Sequence, residues 1–349
     1  MNIFHYFAGG NTPLGFYSYY EEVLPPAFAQ KTIYIKGGPG TGKSTLMKRL
    51  GARWAEQGQT VEFLHCSGDP ISLDGVVSRK KGWSVLDATA PHAQDPKLLG
   101  AVDLIFDPGR FVDPSVVKPY RERLLELTAA KKACYARAYR YLSMAGTLFS
   151  GITKEQEKAL FPNSIAKTAK GFYEEFFAHL PLSERRGRLS HAFARAITPM
   201  GVMGYFDTLF NGNEVCVLHT ENGVGADEIL KQISEMALAR GISVQAYCSP
   251  LFPTKFEHLV LKDLHLAITT EDLSCKNAVD IIDYVRLDRI NRDLSGDLQL
   301  FSLLLERTVI ALRCAKEEHA RMEEILVPSM DFEGMQDEFS QILSCHGLS

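Results

Sequence analysis

The sequence predicts an α/β fold: two duplicated parallel-sheet units, each three layers thick, with a helical insertion. Three observations predict it. The first is the stretch Thr32 to Leu46, TIYIKGGPGTGKSTL, where an apolar run, a glycine-rich loop and an amphipathic helix follow one another. The second is an internal repeat whose period is the size of a domain. The third is the order of short apolar runs and helical stretches, which is the same in both repeats and suits strands joined by helices.

The first stretch also carries chemistry. Ile33-Tyr34-Ile35 reads as a buried strand. The loop Gly37-Gly38-Pro39-Gly40-Thr41-Gly42 follows, then Lys43, Ser44 and Thr45. Leu46, Met47 and Leu50 are spaced to face a sheet. The spacing G-x-x-x-x-G-K-S between strand and helix is the P-loop pattern, so both units are expected to be of P-loop type. Glycines let the backbone curl until successive N–H groups point at phosphate oxygens. The helix N-terminus adds partial positive charge. Lys43, expected to be exposed in the loop, would reach the β- and γ-phosphates, and the Ser44 hydroxyl would hold Mg²⁺. A glycine-rich turn with a stray lysine is the blander account, and it leaves the filled positions unexplained.

The repeat begins at the N-terminus. HYFAGGNTPLGFYSYYEEVL, from His5, matches HAFARAITPMGVMGYFDTLF, from His191. Phe7 falls on Phe193, Thr12-Pro13 on Thr198-Pro199, Gly15 on Gly201 and Tyr19 on Tyr205. After a three-residue deletion Gly40 falls on Gly223, Gly42 on Gly225, Lys48 on Lys231, Gly58 on Gly241 and Val61 on Val244. Pro70 then matches Pro253, and Ala101-Val102-Asp103 matches Ala278-Val279-Asp280. Each repeat reads as a lead segment with a Thr-Pro turn, a strand (33–36, 215–218), the loop, and a helix (44–57, 227–240) that stops at Gly58 or Gly241. Further strands (60–66, 243–248; 83–87, 265–269) and a long helix (115–149, 296–326) complete it. Residues 150–185 have no visible counterpart. The expected units are therefore 1–150, a helical insertion and linker at 151–185, and 186–349.

The repeats differ at the loop. Ala226 replaces Lys43, Asp227 replaces Ser44, and Thr220 and Glu221 replace Gly37 and Gly38. An acidic loop without its lysine is a poor phosphate cradle. Residues lost together with Lys43 are expected to be functional and residues kept in both repeats structural. Asp87 ends the run Trp83-Ser84-Val85-Leu86, where a Mg²⁺-binding aspartate is expected, and its counterpart is Thr270. Asp69 becomes Phe252, and turn chemistry before Pro70 explains it as well as catalysis does. His5, Thr12, Pro13 and Asp103 are kept, and Asp74 stays acidic as Glu257. His92 could face a γ-phosphate, although a plain loop histidine is the simpler reading. Lys131, Lys132, Arg137 and Arg140 mix with Tyr135, Tyr139 and Tyr141. Such a mix can bind RNA, but one solvated and one packed helix face explains it more simply. The cluster Arg185-Arg186-Gly187-Arg188 reads as a charged linker before it reads as a source of an arginine finger.

A chain of 349 residues with 46% hydrophobic content can bury two cores. A net charge of −4 points to neither nucleic acid nor an anionic membrane. The seven cysteines show no C-x-x-C pair or metal spacing, which suits a reducing compartment. The N-terminus has no basic or continuous apolar leader segment, and no run of about 20 apolar residues occurs. A cytoplasmic protein is expected.

GGPGTGKST resembles the P-loop NTPase superfamily, both AAA-type ATPase loops and nucleotide-kinase loops. With KGGPGTGKSTL, FLHCSGDPISLDGVV and LDATAPH, the whole chain resembles uncharacterised bacterial tandem P-loop ATPases with one intact Walker A motif. The resemblance implies ATP binding through Gly37 to Thr45 and no particular substrate. The expected function is a Mg²⁺-dependent ATP hydrolase with one site: Lys43 and the loop amides hold phosphate, Ser44 and Asp87 hold Mg²⁺, and Asp69 or Asp87 positions water. Two alternatives stand beside it. One is a phosphotransferase to a small acceptor, with 150–185 as its lid. The other is a nucleotide-gated switch with negligible turnover, whose second half binds a protein partner or regulates.

Overall fold

The computed structural model of the chain describes residues 3–91, 94–273, 277–280 and 294–348. In the first half β1 (Ile3–Tyr6) leads to a hairpin of β2 (Gly9–Thr12) and β3 (Gly15–Ser18), then a single helical turn, α1 (Tyr20–Val23). Strand β4 (Lys31–Ile35) enters the glycine loop and α2 (Lys43–Glu56) leaves it. Strands β5 (Val61–His65), β6 (Leu73–Ser78), β7 (Trp83–Asp87) and β8 (Asp103–Phe106) follow. A turn, α3 (Pro114–Val117), precedes the long helix α4 (Arg121–Glu157) and the shorter α5 (Ser164–Phe172).

The second half runs through the same order. It contains β9 (Leu189–Ala192), β10 (Arg195–Thr198), β11 (Gly201–Gly204), α6 (Phe206–Leu209), β12 (Glu214–His219) and α7 (Ala226–Leu238). Then come β13 (Val244–Cys248), β14 (Phe256–Leu261), β15 (Leu266–Thr269), β16 (Asn277–Asp280), α8 (Ser295–Leu326) and α9 (Phe332–Cys345). Gly58 and Gly241 follow the ends of α2 and α7 with φ of +77° and +76°, the left-handed residue that closes a helix.

The protein is α/β, but its sheets are mixed rather than parallel. One sheet has the order β1-β5-β6-β7-β4-β8 and the other, in equivalent strands, β9-β13-β14-β15-β12-β16. β6 and β14 run antiparallel to both neighbours, and the remaining pairs are parallel. The reason is chain length. A parallel return needs about a dozen residues or more, and the links 66–72 and 79–82 are too short.

Neither half has three layers. Ile33, Ile35, Val76 and Val85 face α2 and α9 on one side of the first sheet. Their neighbours Tyr34, Val77 and Leu86 face the other way and pack with Tyr247, Val260 and Ala267 of the second sheet. The second sheet turns Leu218, Leu259 and Ile268 towards α7 and α5. The two sheets thus lie face to face between outer helices, in four layers. Strand side chains alternate between faces, so the sequence marks both faces as apolar without saying what covers each.

A four-stranded antiparallel sheet, β11-β10-β2-β3, joins the halves. Its central contact pairs Asn11 with Ile197, and Phe7 and Phe193 exchange backbone hydrogen bonds of 3.0 and 2.9 Å. Both pairs join equivalent residues, so a pseudo-two-fold axis passes between them. The Thr-Pro turns explain what both halves keep. Thr12 Oγ1 accepts from Leu14 N and donates to the Gly15 carbonyl, and Thr198 does the same with Met200 and Gly201. Gly15 and Gly201 hold φ of +96° and +107°, which only glycine adopts without strain.

The long helices α4 and α8 pack antiparallel across this axis. Lys131 meets His319 at one end and Phe149 meets Phe301 at the other. They carry the chain across: α5 packs on α7 with Phe172 in the second core, and α9 packs on the first sheet through Met335, Phe339 and Leu343. Trp54 Nε1 donates to the Leu348 carbonyl at 2.9 Å. The expected insertion after residue 150 therefore has a counterpart after all. α5 and α9 take equivalent places, each packed in the other half's core.

The match of Asp103 with Asp280 does not hold either. Asp103 pairs in register with Thr32, whereas Asp280 pairs with His219, the equivalent of Lys36. The connection from β15 to β16 is shorter than that from β7 to β8, so three matching letters slide along the strand.

Candidate functional site

The loop between β4 and α2 lies at the C-terminal ends of β4 and β7, where ligands of α/β sheets are usually met. Gly40 and Gly42 hold φ of +70° and +79°, and Gly42 is the residue on which α2 starts. Thr41 Oγ1 donates to the Gly38 carbonyl at 2.8 Å and tightens the curl. Nothing lies within 4 Å of where a Cβ on Gly38 would be, so the loop's outer rim is open. Pro39 is half-buried at the crest, and Thr45 is exposed on the first turn of α2.

Lys43 Nζ donates to the carbonyls of Gly37 (2.6 Å) and Gly38 (2.8 Å) and sits 3.5 Å from Asp87 Oδ2. Its side chain is only 13% exposed, so the lysine is enclosed rather than exposed: the curled loop turns its carbonyls onto the ammonium. Asp87 Oδ1 accepts from Thr89 N at 2.8 Å, and Thr89 Oγ1 donates to the Gly37 carbonyl at 2.9 Å. Strand end, loop and lysine are thereby tied together. Ser44 Oγ accepts from Leu73 N at 3.0 Å, which joins α2 to the start of β6.

The C-terminal end of α8, from the other half, roofs this loop. Gly40 N donates to Glu323 Oε1 at 3.2 Å. His319 Nε2 lies 3.5 Å from the same carboxylate, and Lys131 Nζ of α4 donates to His319 Nδ1 at 3.4 Å. The His319 imidazole, helped by the Gly40 amide, holds the Glu323 carboxyl below its usual range. Burial pushes the Lys131 ammonium down; the Lys43 charge adds to this and Glu323 opposes it. The Lys131 ammonium from α4 and the His319 imidazole from α8 thus converge on a loop already occupied by a carboxylate.

The second loop keeps the two left-handed glycines but curls differently before them, with Asn222 at φ +55° where the first loop has Pro39, and it carries a different chemistry. Gly223 and Gly225 hold φ of +76° and +81°. Asp227 Oδ1 accepts from Phe256 N at 2.8 Å, the same link that Ser44 makes to Leu73. So position 44 or 227 has a structural duty in both halves, which the sequence comparison did not expose. The other oxygen of Asp227 pairs with Lys231 at 2.8 Å. Ala226, in place of Lys43, is buried.

Of the predicted residues, the structure gathers Gly37 to Ser44 with Asp87. Asp69 turns instead to Lys316 of α8 at 2.7 Å and to Ser72 Oγ at 2.7 Å. Burial raises the Asp69 carboxyl, but these partners hold it below its usual range. Asp74 accepts from Tyr20 OH at 2.9 Å, and Asp103 accepts from the amides of Lys97 and Leu98, both at 2.7 Å. Arg186 pairs with Glu235, and Arg188 stacks on Phe28 and donates to the Glu22 carbonyl. Tyr139 OH donates to Asn11 Oδ1 at 2.9 Å, so the aromatic face of α4 is packed. His92 lies outside the described residues.

Sequence reasoning missed Glu323, His319 and Lys316, which belong to no motif and lie far along the chain. Lys131 carried a weak signal in its basic cluster. Among the described residues no helix is long and apolar enough to cross a membrane, and no cluster of His, Cys, Asp and Glu could hold a metal. No family model, curated protein or solved structure matches this chain.

Proposed function

We propose that the first half binds Mg²⁺-ATP on residues 37–45 and hydrolyses it, and that the second half has lost this site. The observation that carries the proposal is the contact of Lys43 with Asp87, 3.5 Å apart, beneath a curled glycine loop at the start of a helix. The counterpart residues, Ala226 and Thr270, can make no such pair. Lys43 and the loop amides would bind phosphate oxygens, and Ser44 and Asp87 would hold Mg²⁺. Bound there, the metal supplies charge neutralisation on the phosphates. Asp87 is already oriented by Thr89, and Lys131 supplies a positive charge close to the loop.

Calorimetric titration with a non-hydrolysable ATP analogue and Mg²⁺ should give one site per chain. Two sites of similar affinity would overturn the reading.

Glu323 competes with phosphate for the Gly40 amide. Glu323→Gln weakens that competition by removing the charge, so the analogue should bind about three- to tenfold more tightly, a gain of roughly 0.7–1.4 kcal/mol. Weaker binding would mean that Glu323 instead holds the loop in its binding shape.

A nucleotide-gated switch is the second reading, and one observation favours it. The α4–α8 pair touches both loops, through Glu323 on Gly40 and through Gln156 Oε1, which accepts from Asn222 at 3.1 Å. Steady turnover of ATP without any acceptor or partner supports the hydrolase, and binding without turnover supports the switch. Within 150–185, the lid expected for a phosphotransferase, α5 is packed on α7.

A further inference from the structure

The second loop faces a cavity of about 360 Å³. That is within the range of small-molecule sites, roughly 300–1,000 Å³. It lies at the start of α7 and is roofed by the opposite end of the helix pair that roofs the first loop. There the chemistry is reversed. Where Lys131 and His319 meet over the first loop, Phe149 and Phe301 stack at 4.6 Å over the second. Phe252, standing in the place of Asp69, stacks on Phe149 at 6.0 Å. With Phe256, the cavity is therefore lined by four phenyl rings.

Its charges favour the opposite sign of ligand. The lining carries four carboxylates, Glu157, Asp227, Glu257 and Glu271, against two cations, Arg195 and Lys255. Lys255 lies 3.7 Å from Glu157, and Arg195 grips Glu257 through both Nε and its terminal nitrogen at 3.0 Å. Glu257 is thereby neutralised. Among the described residues the Glu271 carboxylate has one ion-pair contact, 3.2 Å from Arg195, and keeps 33% of its side chain exposed. Like Glu157, which is 38% exposed and 3.7 Å from Lys255, it keeps capacity for a ligand, and unlike Glu157 it shares a cation, Arg195, that is already engaged by Glu257. A phosphate would meet net negative charge and no lysine at position 226.

We infer that this cavity is a second, distinct binding site, for a small unphosphorylated molecule with a flat apolar ring and a cationic head, such as an arylalkylamine or an aryl amidine. The ring lies among Phe149, Phe252 and Phe301, and the head faces Glu271. Aromatic faces attract cations as well as rings, so the roof contributes to both ends. The inference does not rest on nucleotide binding by the first half.

The test uses the full chain without nucleotide and two cationic probes, benzamidine and tryptamine, with benzoate and inorganic phosphate as anionic counterparts. Calorimetry should show one site per chain for at least one cationic probe, saturating below about 10 mM, as suits ligands of this size. Glu271→Gln, which keeps an oxygen for Arg195, should weaken it about tenfold or more through loss of one charged contact. Lys43→Ala should leave it unchanged. The inference is overturned if neither cationic probe saturates, if benzoate or phosphate binds as well, or if Glu271→Gln has no effect. Loss of probe binding in Lys43→Ala would place the probe at the first loop and also overturn it. Failure of ATP binding would leave this result untouched, so the two readings fail separately.

Discussion

Lys43→Ala is expected to weaken Mg²⁺-ATP binding about a hundredfold or more and to leave the protein folded. Truncating one partner of an enclosed charge pair costs roughly 2–5 kcal/mol of binding, and each 1.4 kcal/mol is tenfold. The melting temperature without nucleotide should fall by a few degrees rather than stay fixed. Lys43 satisfies two carbonyls and stands beside Asp87, which is left without its cation. Leaving such partners unmatched costs about 1–3 kcal/mol, and one kcal/mol moves a melting temperature of a chain this size by about 1–2 °C. The ATP-induced rise in melting temperature should vanish. Thermal melts with and without Mg²⁺-ATP check both parts. A surviving rise would place the nucleotide elsewhere, and global unfolding of the variant would make the lysine structural.

Asp87→Asn should cut Mg²⁺-dependent turnover by about two to three orders of magnitude, with a loss of stability no larger than that of Lys43→Ala, since Lys43 keeps its two carbonyls. The asparagine keeps the acceptor for Thr89 N and loses only the charge that faces Lys43 and would face the metal. A metal-oriented charge is worth several kcal/mol in the transition state, and each 1.36 kcal/mol is tenfold in rate. Asp103→Asn makes the opposite control. Asp103 is buried, and one of its oxygens accepts two amide protons. Hydrogen bonds to a charged group are worth about 1.5–3 kcal/mol, so the melting temperature should drop while turnover persists. Asp69 decides the matter from the other side. It is bound to Lys316 and Ser72, so Asp69→Asn should disturb the contact with α8 more than the chemistry. Loss of turnover in Asp69→Asn with full turnover in Asp87→Asn would reverse the assignment.

Local patterns were legible wherever a few neighbouring residues settle the backbone. The glycines at 40 and 42 mark left-handed positions, and the Thr-Pro turns recur because one hydroxyl closes each turn onto a glycine. Comparison of the halves singled out Asp87, which the structure places beside Lys43. It failed at Asp103 and Asp280, because loop length, which the letters do not weigh, sets strand register. It also missed the shared duty of Ser44 and Asp227, because a hydroxyl and a carboxylate can accept the same amide proton.

The sequence by itself determined an α/β chain in two like halves, one glycine loop with a lysine and one without. Those features rest on contacts between near neighbours, which sequence order records. Only the tertiary structure decided that the sheets face each other, that α5 and α9 trade places, and that one helix pair roofs both loops. Glu323 lies far along the chain from Gly40 yet within hydrogen-bonding reach of it. Apolar strands and helices state that a face must be covered, and the partner that covers it is chosen by the packing of the whole chain.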